Sequence, residues 1–183
     1  WLFSAIARNK GTWDVLGTGT NMGYNFTPEE AMNWFPKDAP ERTKNFVRQG
    51  IAAAKAGLPY NLDNWGGYPV ARSRVLAAAQ RADANLVVVT GDSHNGWAFD
   101  LPEGGKPAGV EFGGHSVSSP GFESATVGVD PAVIARNLQE ASKQELRWVD
   151  TSNRGYMHLS LTPQAATNEW VFMQTVKDVS LAT

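Results

Sequence analysis

The chain has 183 residues, of which 42% are hydrophobic, with a formal charge of −2 and no cysteine. That length supports one sizeable core and is short for two, so residues 1–183 are expected to form a single domain. The near-neutral charge, without a dense Lys/Arg run, excludes the electrostatic footprint of a nucleic-acid or anionic-membrane partner, and the missing cysteines exclude a disulfide framework and Cys-ligated zinc.

No segment approaches the ~18 to 20 apolar residues of a membrane span. The start at Trp1-Leu2-Phe3 has neither an initiator methionine nor a basic leader, so the chain is expected to be truncated there. Thr27-Pro28-Glu29-Glu30 has the order of a capping box and predicts a short helix through Ala31, Met32 and Trp34. Pro40 opens a second helix, with Val47, Ile51, Ala54 and Leu58 near helical spacing, a basic opposite face and Gly57 as its stop. A third is expected from Pro69, with Ala71, Val75, Ala78 and Ala82 as its inward stripe.

Asn85 to Asn95 is the most informative segment. Its run Leu86-Val87-Val88-Val89-Thr90 is too short for a helix and reads as a buried parallel strand. Gly91 then allows a sharp turn, and Asp92 and His94 follow where open α/β sheets gather their ligands. A carboxylate and an imidazole one residue apart converge on one metal ion if the chain turns, and share a face if the strand continues.

Gly96 to Leu101 reads as extended, Glu103 to Pro107 as a loop and Gly109 to Phe112 as a short strand. Asp130-Pro131 is an N-cap and first-turn pair for a helix running to about Leu146. Tyr156–Leu161 and Trp170–Met173 then alternate as an antiparallel strand pair joined through Thr162-Pro163. The pattern predicts a layered α/β domain.

Four ordered blocks carry a resemblance: Asn61-Leu62-Asp63-Asn64-Trp65-Gly66-Gly67-Tyr68-Pro69-Val70-Ala71-Arg72, Val88-Val89-Thr90-Gly91-Asp92-Ser93-His94, Glu111-Phe112-Gly113-Gly114-His115-Ser116 through Pro120-Gly121, and Arg154-Gly155-Tyr156. Together they resemble the C-terminal part of the alkaline phosphatase D (PhoD-like) metallophosphoesterase family, and Trp13-Asp14-Val15-Leu16-Gly17 is similar to the family's preceding strand. The resemblance implies the C-terminal portion of a calcineurin-like two-sheet sandwich flanked by helices, whose metal centre hydrolyses a small-molecule phosphate ester. It also implies a periplasmic or secreted location. Asp92 stands where related metallophosphoesterases have the first histidine of Gly-His-x-His, and oxygen in place of nitrogen suits the Fe³⁺ and Ca²⁺ that the resemblance implies.

Asp92 and His94 are therefore the expected metal ligands, with His94 also a candidate acid toward the leaving oxygen. The family's upstream metal motifs do not precede Asp92 in this sequence, and Gly66 stands where the family has an aspartate. Two ligands are fewer than a centre needs, so the chain alone is expected to be inactive, its site completed by upstream residues. The alternative reading is a non-catalytic ligand-binding or structural module on the same scaffold.

The remaining chemistry-bearing residues have plainer expectations. His115 is expected as a partly exposed loop histidine, His158 on the solvent side of a strand, and Ser116, Ser118 and Ser119 as turn formers. Trp13, Trp65 and Trp170 are expected in the core. Asp63, Trp65, Tyr68 and Arg72 should order the loop before the third helix. Arg154 is the basic residue best placed to meet phosphate bidentately, with a surface ion pair as its expected role.

Overall fold

The computed structural model describes residues 1–8, 11–126 and 128–179. Its helices are α1 (Leu2–Ala7), α2 (Glu41–Lys55), α3 (Pro69–Arg81) and α4 (Pro131–Ala141). Its strands are β1 (Asp14–Gly17), β2 (Leu86–Thr90), β3 (Gly96–Glu103), β4 (Lys106–Gly113), β5 (Leu146–Asp150), β6 (Gly155–Leu161) and β7 (Ala166–Phe172). The first five form one mixed sheet in the order β1-β2-β4-β3-β5, and β6 and β7 form a second, antiparallel one. No helix among the described residues is long and apolar enough to cross a membrane.

The β-branched run explains the centre of the large sheet. β2 pairs in parallel with β1 on one side and β4 on the other, and all but one of its five residues are buried. A strand covered on both faces needs this continuous apolar pattern. The β3–β4 connection is tighter than expected: Gly104 and Gly105, at φ +57° and +75°, make a two-residue turn, and β4 begins at Lys106. Two adjacent glycines at positive φ supply the turn whose twist matches a hairpin.

Strand alternation separates the two faces of the large sheet. Trp97, Phe99 and Leu101 join Val75, Leu76 and Ala79 of α3 and Ile134 and Leu138 of α4 in the main core. On the other face, Ala98 lies in register between Phe112 and Trp148. Trp170 of β7 covers this row, its ring 4.3 Å from that of Trp148 and 5.9 Å from that of Phe112, and its indole N–H donates to Gly113 O at 2.9 Å. The small Ala98 side chain leaves the two aromatic rings free to meet Trp170. The α/β class, two sheets and flanking helices agree with the expected architecture.

Several local expectations are corrected. Thr27 to Trp34 forms only a five-residue 3₁₀ turn, Glu29–Asn33, because the extended Pro28 occupies the cap position and the Thr27 hydroxyl is buried without a partner. α4 stops at Ala141 rather than near Leu146, and Leu146 opens β5, an edge strand that the periodicity did not signal. Burial of Leu146 and Val149 beside β3 outweighs helical continuation there. α1 was likewise not anticipated. In α3 the buried side chains are Arg72, Val75, Leu76, Ala78 and Ala79, while Ala71 is exposed. In α2, Val47 alone is buried, and Leu58, beyond its end, is exposed.

Candidate active site at the carboxyl edge of the large sheet

Because β1, β2 and β4 run parallel, Gly17, Thr90 and Gly113 end at one edge of the sheet. The segments following these strands gather at that edge, where open α/β sheets place their ligands. The strand alternative for Asp92 and His94 is not realised: β2 stops at Thr90, and both residues take left-handed backbone conformations, at φ +66° and +60°. Gly91 is not the pivot, for it has neither a positive φ nor any atom within 4 Å of where a Cβ would lie. Two non-glycine residues at positive φ persist only where the surroundings over-determine them.

Those surroundings are specific. Ser93 N donates to Gly91 O at 2.8 Å, the Trp97 indole donates to Ser93 Oγ at 2.6 Å, and Asn95 Nδ2 donates to Ser93 O at 2.7 Å. The ring of His94 is fixed through Nδ1, which lies 2.9 Å from the carbonyl oxygen of Pro120. A carbonyl only accepts, so Nδ1 carries the proton and the neutral ring keeps its lone pair on Nε2, the state of a metal-ligating imidazole. Asp92 is exposed.

A second cluster behind this edge was not singled out from the sequence. Glu111 of β4 is fully buried and accepts from Asn21 Nδ2 at 3.0 Å, Thr90 Oγ1 at 2.7 Å, Met22 N at 3.1 and 3.0 Å and Gly23 N at 2.5 Å. Burial pushes its carboxyl above the usual range and these hydrogen bonds oppose that push. Beside it, Arg72 donates through Nη2 to both oxygens of the buried Glu145, at 2.9 and 2.8 Å, and through Nε to Met22 O at 2.8 Å. Tyr24 N donates to Glu145 Oε2 at 2.7 Å. The two carboxylates thus hold residues 21–24 against the sheet. An acidic residue inside the apolar stretch Val110-Glu111-Phe112 was the available signal.

Two sequence expectations change at this edge. His115 is a half-buried loop residue, but its exposure is main-chain: its side chain is fully buried, with Nε2 3.1 Å from Asp150 Oδ1 and its ring against Phe172 and Trp148. Burial opposes ionisation of Asp150, but His115, Asn153 and the Ser152 amide outweigh it and hold the carboxyl at about 2. Arg154 is not a surface ion pair, being 5% exposed and bonded to Glu123, to Asn153 O and, at 3.0 Å, to His94 O. These acceptors occupy it at an interior junction.

The other expectations mostly stand. His158 is exposed and faces Glu169, and Ser116 Oγ accepts from Ser118 N and Ser119 N as a turn former. Trp65 packs against the core and donates to Thr18 Oγ1, and Trp170 lies between the sheets, whereas the half-buried Trp13 reaches across to Thr162 O. An apolar cavity of about 500 Å³, lined by Phe26, Trp34, Phe46, Tyr60 and Phe122, contains neither Asp92 nor His94.

The sequence model of the PhoD-like phosphatases matches residues 1–170. The chain belongs to the PhoD-like phosphatase family. It is 40% identical over 190 residues to alkaline phosphatase D of Bacillus subtilis (strain 168), an alignment that covers 96% of this chain and 31% of that relative. The chain therefore spans about a third of the length of the curated relative it matches. No solved structure matches it.

The exposed Asp92 carboxylate and a His94 imidazole with Nε2 unprotonated are donors of the types that metal ions take. Among the described residues no group of three or more His, Cys, Asp or Glu side chains converges to hold an ion.

Proposed function

We propose that Asp92 and His94 serve in the metal centre of a phosphoesterase, as two of its ligands. The observation that carries this is the His94 ring, whose Nδ1 is committed to Pro120 O while Nε2 is left as a donor on a turned loop at the carboxyl edge. The family membership and the similarity to alkaline phosphatase D support hydrolysis of phosphate esters as the reaction.

Fe³⁺ and Ca²⁺ suit the oxygen donor at position 92, and such ions would supply charge neutralisation for phosphoryl oxygens together with activation of water. The chain's own contribution is to hold and orient. Ser93, Asn95 and Trp97 fix the loop, and Pro120 fixes the imidazole. Upstream residues of the full-length protein complete the ligand set, and residues 1–183 form the C-terminal part of one phosphatase domain outside the cytoplasm.

A second reading of His94 makes it the acid toward the leaving oxygen, a role that needs the ring protonated on both nitrogens, with Nδ1 still bonded to Pro120 O while Nε2 gives its proton. The two tasks separate in a leaving-group series. Aryl phosphate mono- and diesters of graded leaving-group pKa should be hydrolysed by the full-length protein, lose turnover with a chelator, and regain it with Fe³⁺ and Ca²⁺. In His94→Ala, equal losses across the series assign the metal role, and losses confined to poor leaving groups assign the acid. Turnover indifferent to chelation would refute the metal-dependent reading.

A further inference from the structure

The loop that carries His94 is bolted from outside by residues distant in sequence. Arg154, just ahead of β6, donates through Nη1 to the main-chain oxygen of His94 at 3.0 Å and through Nη2 to Glu123. Glu123 in turn accepts from Gly121 N at 3.2 and 3.0 Å, and Phe122 N donates to Asn95 Oδ1 at 3.2 Å. The adjoining Pro120 supplies the carbonyl that takes the proton of His94 Nδ1. Residues 120–123 therefore hold the His94 ring and its neighbour Asn95, and the Arg154–Glu123 pair fastens that segment to the His94 backbone.

The approach is close enough that a side chain does not fit. A Cβ on Gly121 would collide with Asn95 Oδ1 and lie 2.7 Å from Arg154 Nη2 and 2.8 Å from His94 O. With Arg154 5% exposed, its guanidinium is occupied by a carboxylate and two carbonyls. A lysine cannot reproduce this fork, because an ammonium is a point donor on a flexible stem.

We propose that Arg154 is a positioning residue that, through Glu123, locks the His94 carbonyl against residues 120–123 so that Pro120 keeps the proton on Nδ1 and the lone pair on Nε2. Its importance to catalysis rests on the metal-centre reading of His94 given above. Its geometric effect does not. A ligand's outer partner of this kind typically changes metal affinity by roughly 10–100-fold.

The test uses the full-length protein with ¹⁵N-labelled histidine, stripped of metal, at a pH of about 8, above the ordinary imidazole value of about 6.5. The ring nitrogen shifts of His94 should report a single tautomer protonated at Nδ1, and Arg154→Met, Arg154→Lys and Gly121→Ala should convert it to a mixture. Titration with Ca²⁺ and Fe³⁺ should show roughly 10–100-fold weaker binding in the same variants, with kcat falling more than KM rises. Arg154→Lys keeps the positive charge facing Glu123 and loses only the fork, so it decides the matter if Arg154→Met fails to fold. An unchanged tautomer with a raised KM would overturn the proposal, making Arg154 a phosphate-binding residue. A tautomer that responds to Arg154→Met in a protein whose His94 shifts ignore metal would uphold the lock and refute the metal reading.

Discussion

The hydroxyl of Thr90 donates to Glu111 Oε1 at 2.7 Å, tying the last residue of β2 to a carboxylate buried in β4. Asn21 Nδ2 bonds both residues, and the amides of Met22 and Gly23 complete the cradle. This carboxylate fixes the 21–24 segment next to the loop that carries Asp92 and His94.

Glu111→Gln should therefore be costly despite its equal size. An amide NH₂ replaces one acceptor and points its own N–H groups at the donors that surround this carboxylate, a conflict worth about 2–3 kcal/mol at a buried site. Urea unfolding should show that loss as a lower midpoint with an unchanged slope. A variant as stable as the parent would mean that the cradle adds nothing.

Asp150 predicts an acid-side dependence of stability. Its folded pKa of about 2 lies below the ordinary 3.8, so the stabilisation is present above about 3.8 and is lost as the pH falls through about 2. The size is about 2 kcal/mol. In Asp150→Asn the gap to the parent should be present at neutral pH and close between pH 4 and pH 2. A gap that stays constant over that range would contradict the His115 and Asn153 contacts as its source.

Trp170→Ala should loosen the small sheet selectively. Its indole covers Phe112 and Trp148 and donates to Gly113 O, so truncation is expected to cost about 2–4 kcal/mol. Amide hydrogen exchange should accelerate more in β6 and β7 than in β2 and β4. Uniform acceleration would show that the two sheets unfold as one unit.

Local pattern made much of this molecule legible, and the exceptions share a cause. Leu86 to Thr90, Pro69 and Asp130-Pro131 announced their elements because apolar run, first-turn proline and cap are all short-range signals. β5 was hidden because Leu146-Arg147-Trp148-Val149 lacks clear alternation and gains its strand conformation from pairing with β3. The positions of Asp92 and His94 at the end of β2 were readable, but their positive φ was not, since the turn is held partly by contacts that Pro120 and Arg154 bring to His94 from distant parts of the chain. The burial of the His115 and Arg154 side chains was hidden for the same reason. Polar residues in Gly- and Ser-rich stretches look exposed until the partners that bury them, Asp150 and Glu123, are brought across the fold.

Metal binding by Asp92 and His94 is tested most directly by the metal content of full-length Asp92→Asn and His94→Ala, measured by elemental analysis, with each variant checked for native thermal unfolding. Both variants should lose bound ion relative to the parent and lose phosphoesterase rate in step. Full metal occupancy together with full activity in either properly folded variant would contradict the assignment.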